Sequence, residues 1–100
     1  MTAVMVRYKT HPEHQARNAE LVRAVFGQLR DRSPRGFQYT CFQAEDGVTF
    51  VHLASMASPD DNPLPALPAF QAFQEALAQR CVEPPAFTAL STLESFGSQP

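Results

Sequence analysis

No stretch of this sequence approaches 18 consecutive apolar residues, and Met1 leads straight into a strand-like pattern with no basic start and apolar run behind it. Neither a membrane span nor a secretory leader is expected, and the cytoplasm is the expected compartment. Cysteine is scarce. Cys41 and Cys81 form no CxxC and no ligand-spaced cluster with the three histidines, so free thiols in a reducing compartment are expected rather than a disulfide framework or a metal site. Basic residues are few as well: eight Lys and Arg stand against ten Asp and Glu, for a formal charge of −2. Without a basic stripe to neutralise phosphates, nucleic acid is not an expected partner. The chain also has no glycine-rich phosphate loop, no GxSxG, no HxxxH and no carboxylates paired for acid–base work, so neither metal nor cofactor is expected.

What remains is an apolar chain of moderate size. Its 100 residues, 44% hydrophobic, suit one domain over residues 1–100 with a single core and no need of a disulfide.

The rest of the chain is organised around Phe37 to Met56, FQYTCFQAEDGVTFVHLASM, which has the pattern of two strands folded at Asp46-Gly47. Asp-Gly between β-rich runs predicts a two-residue type I′ hairpin, because both residues tolerate positive φ. That register sets Gln43 opposite Phe50, Cys41 opposite His52, Tyr39 opposite Ala54 and Phe37 opposite Met56. One face then carries Phe37, Tyr39, Cys41, Phe50, His52 and Met56, and the other carries Phe42, Val51 and Leu53. Neither face suits water. Two covers are needed, since a stable monomer rarely exposes an apolar patch beyond a few hundred Å².

The flanking segments supply one of them. Thr2 to Lys9 alternates as a strand, with Val4, Val6 and Tyr8 on one side. His11-Pro12 starts a helix, His11 extended as its cap and Pro12 at the first helical position. Ala19, Val22, Phe26 and Leu29, flanked by Leu21 and Val25, form its apolar stripe, with Glu13 and Arg17 paired on the wet side. Gly27 marks either a close approach to the sheet or a tolerated weakness, and Ser33-Pro34-Arg35-Gly36 ends the helix. The proline-rich stretch around Pro59, Pro63, Pro65 and Pro68 forms a stiff connector, with Asp60-Asp61-Asn62 a polar turn and cap. A second helix follows from Ala69 to Cys81 with Phe70, Phe73, Leu77 and Cys81 as its stripe, until Glu83-Pro84-Pro85 stops it. Phe87 to Phe96 alternates as a last strand.

The order strand, helix, strand, strand, helix, strand predicts an α+β, ferredoxin-like βαββαβ fold, a four-stranded antiparallel sheet with two helices on one face. The face bearing Phe42, Val51 and Leu53 is then left for a second subunit, and a homodimer through the sheet faces, closing an α/β barrel, is expected.

Gly36-Phe37-Gln38-Tyr39, the run FVHLASM at 50–56 and LPAFQAFQEAL at 67–77 resemble the antibiotic biosynthesis monooxygenase-like family of the dimeric α/β barrel superfamily. The resemblance spans nearly the whole chain through hydrophobic, loosely spaced motifs, which speak for fold before chemistry. It implies a homodimer of ferredoxin-like subunits, a small pocket between sheet and helices and, in some members, oxygenation of small aromatic compounds without metal or flavin. Many relatives carry Glu-x-Trp where this chain has Ala54-Ser55-Met56, and a histidine where it has Ala69. The haem-degrading branch relies on that tryptophan, that histidine and a first-strand asparagine, but Met56, Ala69, Val4 and Val6 occupy those neighbourhoods here, which sets haem degradation by that mechanism aside.

His52 is the candidate catalytic residue: an imidazole on a strand flanked by apolar residues, facing a pocket under the helices, suits a general base whose pKa is lowered by desolvation. A lone inward histidine is also the pattern of a hydrogen-bonded core residue. Tyr39, Tyr8, Cys41, Phe50, Met56, Phe70 and Phe73 are the candidate residues for holding a small apolar or aromatic ligand, each with the alternative of simple packing. Arg7 and Arg80 suit solvated or dimer-rim positions better than binding of an acidic substrate. Two functions stay open: a ligand-binding dimer that oxygenates without a cofactor, and a non-catalytic dimer of the same fold.

Overall fold

The computed structural model describes residues 2–97, so Met1 and the end of the tail from 98 to 100 lie outside the described residues. The first strand, β1 (Thr2–Thr10), is followed by a 3₁₀ turn at Pro12–His14 and the long helix α1 (Gln15–Arg32). The hairpin is β2 (Phe37–Gln43) and β3 (Thr49–Met56), and after the connector come α2 (Pro68–Gln74), α3 (Leu77–Arg80) and β4 (Cys81–Leu90). The sheet order is β2-β3-β1-β4, with β1 antiparallel to both neighbours. This is the expected ferredoxin-like sheet, with the core formed where Leu21, Val22 and Val25 of α1 and Ala69 and Phe73 of α2 meet Tyr8 and Phe50. Both helices therefore cover one face.

The hairpin has the expected pairing, Phe37 with Met56 through Gln43 with Phe50. Its turn differs from type I′. Gly47 has φ +78°, but Asp46 is not among the residues of positive φ. The Gly47 N–H donates to the Ala44 carbonyl and the Ala44 N–H to the Thr49 carbonyl, which makes a four-residue loop in the same register. The Asp46 side chain explains the choice: its carboxylate accepts from the Val48 and Thr49 N–H groups and the Thr49 hydroxyl at 2.7–2.9 Å, an arrangement built by a negative φ.

The second helix stops earlier than its apolar stripe implies. It ends at Gln74, and Ala76 adopts φ +63° before the short α3. Arg80 then folds back, donating from Nη2 to the Phe73 carbonyl at 2.7 Å and from Nη1 to the Glu75 carbonyl at 3.2 Å. The orphan carbonyls at the end of α2 gain a cationic cap, which a continuous helix would not have allowed. The last strand likewise begins at Cys81 and ends at Leu90, not at Phe87 and Phe96. Pro84 and Pro85 are tolerated because β4 is an edge strand, and its pairing with β1 slips between Arg7 and Lys9, opposite them.

Smaller departures have local causes. Arg17 pairs with Glu20 at 3.3 Å rather than with Glu13, across an exposed turn. A Cβ on Gly27 would meet nothing within 4 Å, so that glycine is a tolerated weakness rather than a close approach. The connector forms two 3₁₀ turns, Pro59–Asp61 and Leu64–Ala66, with Ser58 and Asn62 side chains capping the Asp60 and Leu64 N–H groups. Leu64 and Leu67 from this stretch plug the core.

The opposite face of the sheet carries Phe42, 52% exposed, and Leu53, 37% exposed, with Leu90 on the same face at the β4 edge. Thr40, Leu53 and Met5 follow one another across its three adjacent strands.

Candidate functional site

The strand alternation that puts Tyr8 on β1, Tyr39 on β2 and His52 on β3 on the helix-covered face brings the three side chains together. His52 is 5% exposed and both its ring nitrogens have partners. Nδ1 lies 2.7 Å from the Tyr39 hydroxyl and Nε2 lies 2.8 Å from the Tyr8 hydroxyl, with Cys41 Sγ at 3.5 Å from Nε2. The imidazole also lies against Phe73, ring centroids 5.5 Å apart.

Behind Tyr8 the polar chain continues into the core. Asn18 Nδ2 donates to the Tyr8 hydroxyl at 2.8 Å, and Arg80 Nε donates to Asn18 Oδ1 at 3.1 Å. Asn18 has no exposed surface and Arg80 is 6% exposed, with its guanidinium 5.4 Å from the centre of the Phe73 ring. The buried cation is thus held by two backbone carbonyls, an amide oxygen and an aromatic face.

Burial dominates the electrostatics. Desolvation lowers the His52 pKa from 6.5 to about 4, so the ring is neutral at physiological pH. The same cause raises both tyrosine hydroxyls above their ordinary value, and pushes the Cys41 thiol up to about 11. All three therefore stay protonated, and Cys41 has none of the thiolate character that nucleophilic chemistry needs. Arg80 is also shifted down by desolvation, and a guanidinium keeps its charge regardless.

This network forms the polar end of a cavity of about 120 Å³ between the sheet and α2. Val4, Val6, Ala54, Met56, Phe70 and Phe73 give it an apolar wall, and Phe87, 71% exposed, stands at its mouth on β4. Of the sequence candidates, His52, Tyr8, Tyr39, Met56, Phe70 and Phe73 line this one cavity. Phe50 and Cys41 do not: they line a shallower depression under α1, on the other side of Tyr39, and Phe50 is a core residue stacked on Tyr8 with ring planes 12° apart. Arg7 is exposed and paired with Glu83 at 3.1 Å, whereas Arg80 is buried, contrary to its expected place at the solvent or the rim.

Sequence reasoning passed over Asn18. The signal was available: it lies one helical step from Val22 and two from Val25 on the buried stripe of α1, and a polar side chain there must find buried partners. Arg80 gave no such signal, because its burial depends on the break after Gln74. Among the described residues, no three His, Cys, Asp or Glu side chains converge to hold a metal ion, and no helix is long and apolar enough to cross a membrane.

No family model matches the sequence, and no curated protein matches it. Solved structures do. The chain is similar to Rv0793 from Mycobacterium tuberculosis at 20% identity, covering 94% of this chain and 96% of that one, with a TM-score of 0.76. An antibiotic biosynthesis monooxygenase of known structure matches at 13% identity over 94% of this chain and all of the other, TM-score 0.76. A variant of SnoaB, a cofactor-independent oxygenase from Streptomyces nogalater, matches at 15% identity over 97% of each chain, TM-score 0.70. At these identities the likeness is one of fold, and that fold is the one shared by the antibiotic biosynthesis monooxygenases.

Proposed function

We propose that this protein is a cytoplasmic homodimeric α/β barrel, one domain over residues 1–100, that binds a small, mostly apolar or aromatic molecule in the cavity beside His52 and oxygenates it without a cofactor. One observation carries the reading. A cavity walled mainly by hydrocarbon, with Asn62 and Gln74 also on its lining, ends in an imidazole held between two tyrosine hydroxyls, at 2.7 and 2.8 Å, so a ligand's ring meets hydrocarbon while its oxygen meets the tyrosine–histidine cluster. The fold shared with SnoaB, a cofactor-independent oxygenase, supports the chemistry. The exposed Phe42 and Leu53 support the dimer.

The reaction class is oxidation of an electron-rich phenol by dioxygen. The phenolate reduces dioxygen and a C–O bond forms at the ring carbon para to the hydroxyl. The O–O bond then breaks: one oxygen stays as the new carbonyl and the other leaves as water, taking the phenol proton and the proton from that ring carbon. The phenol loses four electrons, dioxygen gains four, and a para-quinone remains. The protein's part is to hold the ring and stabilise the phenolate oxygen at the tyrosine–histidine cluster.

A second reading, a non-catalytic binding dimer, is favoured by the state of His52 itself. With a pKa of about 4 and both nitrogens occupied, it is a weak base for a phenol proton. Turnover separates the two. Purified protein is mixed with 2-methoxyphenol under oxygen-18, and the oxygenase reading expects labelled methoxyquinone from wild type and none from His52→Ala. Binding without quinone leaves the non-catalytic reading standing, and full turnover by His52→Ala refutes the role of the imidazole.

A further inference from the structure

We infer that the buried chain Arg80–Asn18–Tyr8–His52–Tyr39 runs in one direction, so that Tyr39 presents a hydroxyl proton to the cavity and the site selects ligands carrying an acceptor oxygen, such as a ketone or a phenolate on a single ring. The inference rests on the reading of this cavity as a ligand site and adds to it the polarity of the ligand.

The direction is fixed from the buried end. A guanidinium only donates, so the Asn18 atom at 3.1 Å from Arg80 Nε is its carbonyl oxygen and the amide nitrogen faces Tyr8. The Tyr8 oxygen accepts that amide proton. Its own proton then has His52 Nε2, at 2.8 Å, as its partner; were Nε2 protonated instead, the Tyr8 proton would have no acceptor in a side chain that is 1% exposed. Cys41 Sγ lies 3.5 Å from the same nitrogen, but its thiol proton also has the Phe42 carbonyl at 3.9 Å, so Tyr8 decides the direction. A neutral imidazole whose Nε2 accepts carries its proton on Nδ1, which donates to the Tyr39 oxygen at 2.7 Å. Tyr39 has no other hydrogen-bond partner among the described residues; it also borders two shallower depressions, but its hydroxyl lies against His52, which lines this cavity, and its free proton is assigned there.

Size narrows the class. A cavity of about 120 Å³, somewhat under the roughly 150 Å³ cavity known to hold benzene, has room for no more than one ring, with any further substituent at the open mouth beside the exposed Phe87.

Asn18 and Arg80 act as positioning residues, and the substitution Asn18→Asp reverses them. A carboxylate at that position accepts from Arg80 and from the Tyr8 hydroxyl together. Tyr8 then accepts from Nε2–H, Nδ1 accepts from Tyr39, and Tyr39 turns a lone pair to the cavity.

Nitrogen-15 NMR of the His52 ring reads the tautomer without any ligand. Nδ1–H is expected in the wild type and Nε2–H in Asn18→Asp; Nε2–H in the wild type overturns the inference whether or not the variant folds. Calorimetric titration with acetophenone, which only accepts, and pyrrole, which only donates, reads the consequence. Asn18→Asp is expected to weaken acetophenone about tenfold and strengthen pyrrole by a similar factor, the worth of one hydrogen bond. Unchanged affinities for both probes overturn the selectivity. Failure of both probes to bind any form of the protein refutes the cavity as a ligand site, while the ring tautomer still judges the direction of the chain.

Discussion

The Tyr39 hydroxyl oxygen lies 2.7 Å from His52 Nδ1, so the imidazole is fixed by a side chain from the neighbouring strand rather than by backbone. The pair Cys41 and His52 faces across the hairpin, and Tyr39 is two residues along the same face. A ring held this way contributes to stability only while it is neutral.

That gives a pH prediction. The folded protein binds the His52 proton more weakly than the unfolded chain, since the pKa falls from 6.5 to about 4. Stability from this site is intact above pH 6.5 and is lost as pH falls from 6.5 through about 4. The size of the lowered pKa corresponds to about 3 kcal/mol across that window. Asp46, whose carboxyl is held below 3.8 by its bonds to Thr49 and Val48, loses its contribution lower still. Urea midpoints measured from neutral pH to about 4 should fall for wild type and lose most of that slope in His52→Gln; an equal slope in the variant contradicts the assignment.

Phe50 belongs to the core and not to the cavity. It stacks on Tyr8 at 5.5 Å between ring centroids and is 2% exposed. Phe50→Ala should destabilise the fold by about 3–5 kcal/mol in a denaturant titration. A shift too small to measure would contradict that placement.

The open sheet face predicts self-association. Phe42 and Leu53 leave an apolar surface that a two-fold dimer would cover on both copies at once. Light scattering at micromolar concentration should give twice the 11.1 kDa chain mass, and Leu53→Lys should return the protein to a single chain. A wild-type monomer contradicts the barrel.

The sheet and its two-sided character were legible because Asp46-Gly47 and period-2 alternation determine which residues share a face, whatever the turn conformation. The register survived an incorrect turn type because a four-residue loop pairing Ala44 with Thr49 has the same offset as a two-residue one. The second helix and last strand differ from their sequence patterns for separate reasons: the apolar period runs on through the left-handed break at Ala76 that Arg80 caps, and the proline pair that would stop a helix lies within an edge strand. Pro84 and Pro85 only remove donors that an edge strand does not need. In the site, His52, Tyr39 and Tyr8 were visible as inward polar groups on neighbouring strands. The burial of Asn18 was legible on the stripe of α1, but its partners, and the burial of Arg80, depend on contacts spanning 10 and 62 residues of chain, which no local pattern records.

The chain has no tryptophan and only two tyrosines, Tyr8 and Tyr39, and both line the cavity. The tyrosine band of the near-ultraviolet circular dichroism spectrum therefore comes from the proposed site alone. Titration with cyclohexanone, a small apolar ring with one acceptor oxygen, should change that band and saturate. A band that stays unchanged up to the solubility limit of the ketone would contradict a ligand site between Tyr8, Tyr39 and His52.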